Sequence, residues 1–221
     1  MRFRRILGVA AIAATALAAH GPTEAATPFR VVMIGDSIGN MVFPLVVSPI
    51  PGVVHWDAES SRSPYSTGAL DRASTVQALA TLQRTVPVNT ATTRNYIVVI
   101  EGAIGDKFGV TIDMPQWQRF IDDVIYWSTN RCLVFVYPGY DDDVNATASA
   151  LMYQRKVAAE AKFAAAIATG ACISTVNWWV QAKVAGCTDP AGLHPSLTGT
   201  ACGGTSGAQW LADQIERRLV P

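Results

Sequence analysis

Apolar and polar positions beyond residue 28 follow two alternating patterns. Short, continuously apolar runs predict five buried strands, over residues 30–35, 53–57, 95–102, 131–138 and 172–178. Segments with helical spacing predict four helices, over residues 68–85, 115–129, 147–169 and 206–219. Strands that are apolar throughout and alternate with helices are typical of a parallel sheet covered on both faces. The pattern predicts a three-layer α/β/α sandwich around a mainly parallel, five-stranded sheet.

The first 26 residues have a different pattern. Three arginines within the first five residues precede an apolar run that ends at Ala19, and small residues follow at Ala25 and Ala26. This order is typical of a cleaved export signal, and the apolar run is short for a membrane span. We predict a signal peptide over residues 1–26 and one domain over residues 27–221, secreted or held in the periplasm or cell envelope. An uncleaved anchor is the alternative.

Charge narrows the range of partners. The chain has 17 basic and 17 acidic side chains, and removal of the signal takes away three arginines and one glutamate. The small negative charge that remains does not favour nucleic acid or an anionic membrane as a partner. The chain beyond the signal contains no further apolar segment of membrane-spanning length. We expect a monomer with no stable membrane insertion after signal cleavage.

Polar residues and glycines follow each predicted strand. The first strand runs into Gly35-Asp36-Ser37, and later strands are followed by the stretches DAESSRS, GAIGD and GYDDD and by the loop that holds His194. In an open parallel sheet the ligand crevice lies beyond the carboxyl ends of the strands. The pattern therefore predicts an active site or a ligand-binding site at this edge.

Ser37 and His194 are the candidate reactive pair. A serine nucleophile needs a base and an acid that orients the base, and residues at several strand ends can supply both. Of the other histidines, His20 lies in the predicted signal and His55 lies inside the second strand, where a structural role is expected. For Ser37 alone, the alternative is the N-cap of the next helix.

Two sequence blocks resemble the GDSL, or SGNH, hydrolase family: IGDS at residues 34–37, and GLHPS at residues 192–196 with GAQWLADQI at residues 207–215. The resemblance covers the predicted domain in topology, and these two blocks are its close matches. It implies a flavodoxin-like sheet of the SGNH hydrolase type and a serine esterase or acyl-transfer enzyme. It also implies that Ser37 is the nucleophile, that His194 is its general base, and that the Ser37 N–H donates to the oxyanion.

The other oxyanion blocks depart from the family pattern. The second block usually supplies a glycine N–H, and Ser61 occupies that place in the stretch ESSR. The third block usually reads Gly-x-Asn-Asp, whereas Gly102 begins the stretch GAIGD, which has no asparagine. We expect oxyanion donors from Ser37, Ser61 and Gly102, with Asn40 as a candidate substitute for the missing amide.

The acid that orients the histidine also departs from the position that the family pattern gives it. The family usually places it three residues before the histidine, where this chain has Ala191. Asp189, five residues before His194, is the predicted acid. The aspartates at 141–143 are its rivals, and their alternative interpretation is a solvated turn that caps the next helix. Their spacing matches no calcium loop, so no metal is expected.

Four residues near the strand ends are weaker candidates for substrate contact: Asp36, Asn40, Arg62 and Trp178. Further aromatic residues in these regions suit sugar rings or acyl chains, with a place in the core as the alternative: Trp56, Tyr65, Tyr140 and Trp179.

The four cysteines predict disulfides in an exported protein. A metal site competes with this interpretation, but no C-x-x-C or H-x-x-x-H spacing supports it. Cys132 and Cys172 open the fourth and fifth strands at similar points, so a bridge forms readily if those strands are neighbours. Cys187 and Cys202 would then close the loop that holds His194.

These observations predict a secreted serine esterase or acyl hydrolase that uses no cofactor. Its substrate would be a carbohydrate ester, a lipid ester or a small acyl ester. Acyl transfer by the same serine is a close variant. A catalytically silent protein that binds cell-envelope glycan is the alternative from another class.

Overall fold

The computed structural model describes residues 29–50, 52–60, 62–65, 74–101 and 112–220. The predicted signal peptide and the predicted oxyanion residues Ser61 and Gly102 lie outside the described residues. The sheet comprises β1 (Phe29–Gly35), β2 (Val53–Ala58), β3 (Tyr96–Ile100), β4 (Cys132–Val136) and β5 (Cys172–Val176). Its order is β2-β1-β3-β4-β5, and every neighbouring pair is parallel. The predicted fold class is therefore confirmed, and the strand order switches direction between β1 and β3.

Six α-helices flank the sheet within these ranges: α1 (Ser37–Val42), α2 (Thr75–Leu82), α3 (Met114–Trp127), α4 (Ala146–Ala168), α5 (Trp178–Gln181) and α6 (Gly207–Glu216). The four longer ones correspond to the predicted helices. However, α2 begins later than predicted, because Ser74 and Gln77 form a capping box at its start. α1 and α5 escape prediction because each is too short to show a helical period. None of the described helices is long and apolar enough to cross a bilayer.

Alternate residues of each central strand face opposite sides of the sheet and enter two separate cores. In β1, Val31 and Met33 join the core shared with α1, α5 and α6. Val32 and Ile34 join the core shared with α2, α3 and α4. Fully burying such a side chain stabilises the fold by about 1.5–3 kcal/mol, so these two layers hold the sheet edge in a defined shape.

Both predicted disulfides are present. Cys132 and Cys172 are register partners at the start of β4 and β5, with their Cα atoms 4.6 Å apart. Cys187 and Cys202 bridge a sequence separation of 15 residues. The first bridge joins two neighbouring strands, and the second closes the chain segment that carries His194.

Candidate active site

Ser37 lies where β1 passes into α1, beside the switch in strand order. Ser37 is the first residue of α1, and the preceding residue, Asp36, has an extended backbone. The Asp36 side chain accepts a hydrogen bond from the Ile38 N–H at 2.9 Å, so Asp36 is the N-cap of the helix. The alternative prediction that Ser37 is this N-cap is therefore wrong.

Gly35 is needed where β1, β3 and α1 meet. A Cβ atom at this position would lie 3.0 Å from the Ile100 carbonyl oxygen and 3.2 Å from the Gly39 Cα. Asp36 N–H also donates to the Ile100 carbonyl at 3.3 Å, which fixes the turn against β3. Any side chain at residue 35 would displace the turn that carries Ser37.

Ser37, His194 and Asp189 form one hydrogen-bonded chain. Ser37 Oγ lies 2.8 Å from His194 Nε2, and His194 Nδ1 lies 3.2 Å from Asp189 Oδ2. Asp189 Oδ1 accepts the N–H groups of Leu193 at 3.2 Å and His194 at 3.3 Å, so both carboxylate oxygens are engaged. The side chains of His194 and Asp189 are 24% and 31% exposed. The arrangement can pass a proton from the serine hydroxyl to an imidazole whose orientation is held by a carboxylate.

The loop that carries the histidine and the acid is fixed by its own backbone. Asp189 N–H donates to the His194 carbonyl at 2.8 Å, and Gly192 N–H donates to the Asp189 carbonyl at 2.8 Å. Gly192 has φ +71°, a conformation that glycine adopts without strain. Ser196 N–H donates to the Cys187 carbonyl at 2.8 Å, next to the Cys187–Cys202 bridge. Asp189 stands two residues further from His194 than the family pattern places the acid, and this closed turn returns it to the imidazole.

The rival aspartates have other partners. Asp141 accepts the Asp143 N–H at 3.0 Å and the Thr188 hydroxyl at 3.5 Å. Asp142 pairs with Lys183, whose hydrogen bond lowers the pKa of the Asp142 carboxyl. The geometry therefore favours Asp189 over this run as the partner of the histidine.

Two predicted substrate contacts lie in the interior. Trp178 is fully buried in the core with α6. Arg62 is 3% exposed, and its guanidinium pairs with Asp57 at 2.9 Å and with Glu59 at 3.7 Å. Neither side chain offers a surface to a substrate, so the prediction of substrate contact is corrected to a structural role for both. The sequence could not show this, because the residue type alone does not distinguish a buried arginine from a surface one.

The remaining candidates divide into two kinds. Asp36 is 6% exposed and is occupied with its capping bond, so it shapes the site without facing solvent. Asn40 is exposed on α1, one turn after Ser37. The Ser37 N–H stands at the first position of α1, where a helix offers it no internal acceptor. Of the three predicted oxyanion donors, this N–H is the one within the described residues.

One buried carboxylate near the site was not predicted. Glu101 follows β3 directly and is fully buried. It accepts the Thr75 hydroxyl at 2.5 Å, at the start of α2. From sequence alone, a glutamate after an apolar strand is expected at the surface. The structure shows that Glu101 is buried and bonded to Thr75 on α2. Within the described ranges, no cluster of three or more His, Cys, Asp or Glu side chains could hold a metal ion.

Comparisons by sequence and by structure give different results. No family model matches the chain, and no curated protein matches it by sequence. Among solved structures, the C-terminal catalytic domain of peptidoglycan O-acetyltransferase A from Streptococcus pneumoniae is similar, with a TM-score of 0.57 and 15% identity over 87% of this chain and 93% of that one. A lipase/acylhydrolase from Enterococcus faecalis has a TM-score of 0.57 and 13% identity over 86% of this chain and 95% of that one. A member of the lipolytic protein G-D-S-L family from Veillonella parvula has a TM-score of 0.54 and 13% identity over 86% and 98% of the two chains.

These similarities identify the fold. The chain has the α/β fold of SGNH hydrolases, and nearly the whole of each similar structure is matched. The structures therefore confirm the resemblance drawn from the two sequence blocks.

Proposed function

We propose that this protein is a secreted serine hydrolase that cleaves an ester bond with Ser37, His194 and Asp189. The observation that carries the proposal is the continuous hydrogen-bonded chain from Ser37 Oγ through His194 to the Asp189 carboxylate. A serine hydroxyl is a weak nucleophile alone and is activated by an adjacent base that a third group orients. All three groups lie at the carboxyl edge of the sheet, where ligands bind in open α/β folds.

The reaction proceeds in two acyl-transfer steps. In the first, His194 Nε2 takes the Ser37 proton while Ser37 Oγ attacks the ester carbonyl carbon, and the carbonyl oxygen becomes an oxyanion. His194 then returns the proton to the leaving alcohol as the carbon–oxygen ester bond breaks, which leaves an acyl-serine. In the second step His194 takes a proton from water, the resulting hydroxide attacks the acyl-serine, and the proton returns to Ser37 as the acid departs.

The oxyanion is held by fewer side-chain donors than the family pattern supplies. The proposed donors are the backbone N–H groups of Ser37, Ser61 and Gly102, with the exposed amide of Asn40 as a substitute for the missing asparagine. Removing one oxyanion donor typically costs about 10²–10³-fold in turnover. We therefore expect slow turnover unless Asn40 supplies the missing hydrogen bond.

Acyl transfer to a hydroxyl other than water is the nearest alternative. It is supported by the similarity in fold to an O-acetyltransferase domain, and it differs only in the acceptor of the second step. A silent glycan-binding protein is the other alternative, motivated by the missing asparagine. The assembled Ser37–His194 pair weighs against it, because a protein without catalysis has no need of this hydrogen bond.

Export is part of the proposal. The two disulfides fit an oxidising compartment, and the basic and apolar start of the chain fits a signal peptide. The expected product is a mature domain that begins near residue 27 and acts outside the cytoplasm. N-terminal sequencing of the protein recovered from the culture medium or periplasm tests this part.

The decisive experiment is hydrolysis of p-nitrophenyl esters, from acetate to octanoate, by the purified mature protein. Ser37→Ala should abolish turnover, and Ser48→Ala, which changes a serine bonded to Ile50 outside the site, should retain it. A fluorophosphonate probe should label the wild type and the Ser48→Ala variant but not Ser37→Ala. Turnover that survives in Ser37→Ala would overturn the assignment of the nucleophile. Turnover or labelling absent from the wild type would favour the silent binding protein.

A further inference from the structure

A groove between α4 and α5 is lined by aromatic and polar side chains that the proposed ester cleavage does not use. Its volume is about 630 Å³. Ala146 and Ala150, one turn apart on α4, line it together with the aromatic side chains of Tyr153 and Trp179. Because the alanine side chains are short, the rings of Tyr153 and Trp179 are the largest apolar groups of the lining, and we call this pair of rings the aromatic shelf.

The aromatic shelf is held in place. The rings of Tyr153 and Trp179 have centroids 5.0 Å apart and are tilted by 41°. Trp179 Nε1 donates to the Ser149 carbonyl at 3.4 Å, which ties α5 to α4. Tyr153 is nevertheless 48% exposed. A half-exposed ring that is braced from behind loses little freedom when a ligand covers it.

Polar groups form the rim of the same groove. Lys183 Nζ pairs with the Asp142 carboxylate, lies 3.2 Å from Ser149 Oγ and lies 4.1 Å from the centre of the Trp179 ring. The rim therefore presents fixed hydrogen-bond donors and acceptors whose charges balance. An aromatic face beside a neutral, hydrogen-bonding rim matches a sugar unit, which has an apolar C–H face and a ring of hydroxyls.

The groove borders a chain segment that is bonded to the catalytic loop. Asp141 N–H donates to the Gly192 carbonyl at 2.9 Å, so the chain beside Asp142 is bonded to the loop that carries His194. Lys183, on the same rim as Asp142, stands four residues before Cys187, where that loop begins. A chain-like ligand seated in the groove therefore lies beside the segment that is bonded to this loop.

We propose that this groove is a saccharide-binding subsite and that the ester substrate is carried on a polysaccharide of uncharged sugar units. The inference rests on the proposed function for the position of the ester, but the subsite itself does not depend on catalysis. An acyl chain fits less well, because it would desolvate the Lys183–Asp142 pair and offer it no hydrogen bonds. The open groove also suits an internal segment of a polymer better than a small ester, which would leave most of it empty.

The test measures binding apart from catalysis. Tetrasaccharides of β-1,4-linked glucose, xylose and N-acetylglucosamine are titrated against the mature protein, with tryptophan fluorescence and amide chemical shifts as readouts. We expect saturable binding of at least one of the three and about tenfold weaker binding by Tyr153→Ala. The matched control is Tyr126→Ala, which removes a tyrosine that is 65% exposed on α3 and lies outside the groove, and it should bind like the wild type.

The same variants are assayed on p-nitrophenyl acetate and octanoate. Tyr153→Ala should leave both rates unchanged, because Tyr153 is not part of the Ser37–His194–Asp189 chain and neither ester carries a saccharide. Failure to bind any of the three tetrasaccharides, or equal weakening by Tyr126→Ala, would overturn the subsite. A selective loss of octanoate turnover in Tyr153→Ala would assign the groove to acyl chains and would also overturn it. Saccharide binding without Ser37-dependent turnover would preserve the subsite and sink the proposed hydrolase function.

Discussion

Replacing Asp189 with asparagine tests the orientation of the catalytic histidine. The asparagine keeps the size of the side chain, and its oxygen can still accept the N–H groups of Leu193 and His194. Its amide nitrogen then takes the place of Oδ2, 3.2 Å from His194 Nδ1. Because this nitrogen is a donor, His194 Nδ1 must accept from it, and the ring proton moves to Nε2. The atom that faces Ser37 Oγ can then no longer take its proton.

The size of the effect follows from the tautomer and the exposure of the pair. In a buried triad the same exchange lowers kcat by about 10⁴-fold. Here the Asp189 side chain is 31% exposed, so water can partly replace the lost acceptor. We expect a decrease in kcat of about 10³-fold, which corresponds to about 4 kcal/mol of transition-state stabilisation. The unfolding transition should stay close to that of the wild type, because the two backbone hydrogen bonds to the side chain are kept.

The assay is p-nitrophenyl acetate hydrolysis at neutral pH, with Asp141→Asn as the matched control. In Asp141→Asn the amide oxygen, at the position of Oδ1, still accepts the Asp143 N–H, and the amide nitrogen, at the position of Oδ2, can donate to the Thr188 hydroxyl instead of accepting from it. We expect this variant to retain kcat within about threefold of the wild type. A rate for Asp189→Asn within tenfold of the wild type would refute the orienting role. An equal loss in Asp141→Asn would transfer that role to the 141–143 run.

Three further predictions concern stability. Replacing both Cys187 and Cys202 with serine opens a loop with a sequence separation of 15 residues, so the free energy of unfolding should fall by about 3 kcal/mol. We expect kcat to fall as well, because this loop carries His194. Calorimetry measures the first effect and ester hydrolysis the second. Arg62→Met leaves carboxylates without their buried cation and should lower the free energy of unfolding by about 3–5 kcal/mol, measured by urea denaturation. Burial raises the pKa of Tyr137 from 10 to about 12, so the folded state favours the neutral phenol. The stability that this preference contributes is fully present below pH 10 and is lost as the pH rises to 12. Between pH 9 and pH 11.5 the free energy of unfolding, measured by urea denaturation, should fall by about 2 kcal/mol less in Tyr137→Phe than in the wild type.

Each of these has a contrasting variant or outcome. Serines at Cys132 and Cys172 should lower stability but leave kcat unchanged, because that bridge joins the strand ends remote from the site. Lys162→Met removes an exposed ion pair and should cost about 1 kcal/mol or less; a loss as small in Arg62→Met would contradict the buried-pair argument. An equal fall in stability at high pH in the wild type and Tyr137→Phe would show that this phenol does not carry the effect.

The sequence by itself determined the architecture and the proposed nucleophile and base, Ser37 and His194. Continuous apolar runs such as residues 30–35 report burial on both faces, and burial on both faces requires helices on both sides of a parallel sheet. The positions of Ser37 and His194 after two strands placed them at one edge, because parallel strands all end on the same side. The cysteine pairing followed from the same order, once the fourth and fifth strands were neighbours.

Only the tertiary structure decided which polar groups meet. The sequence favoured Asp189 over the aspartates at 141–143 but left both open, and the turn closed at Gly192 brings Asp189 to the imidazole. Asp36 caps α1 and leaves the Ser37 hydroxyl free for His194, a choice between adjacent residues that local preference does not make. Arg62 can be buried because Asp57 and Glu59 supply carboxylates that pair with its guanidinium. Periodicity reports whether a position is buried, whereas a hydrogen bond depends on distances of a few tenths of an ångström between segments far apart in the chain.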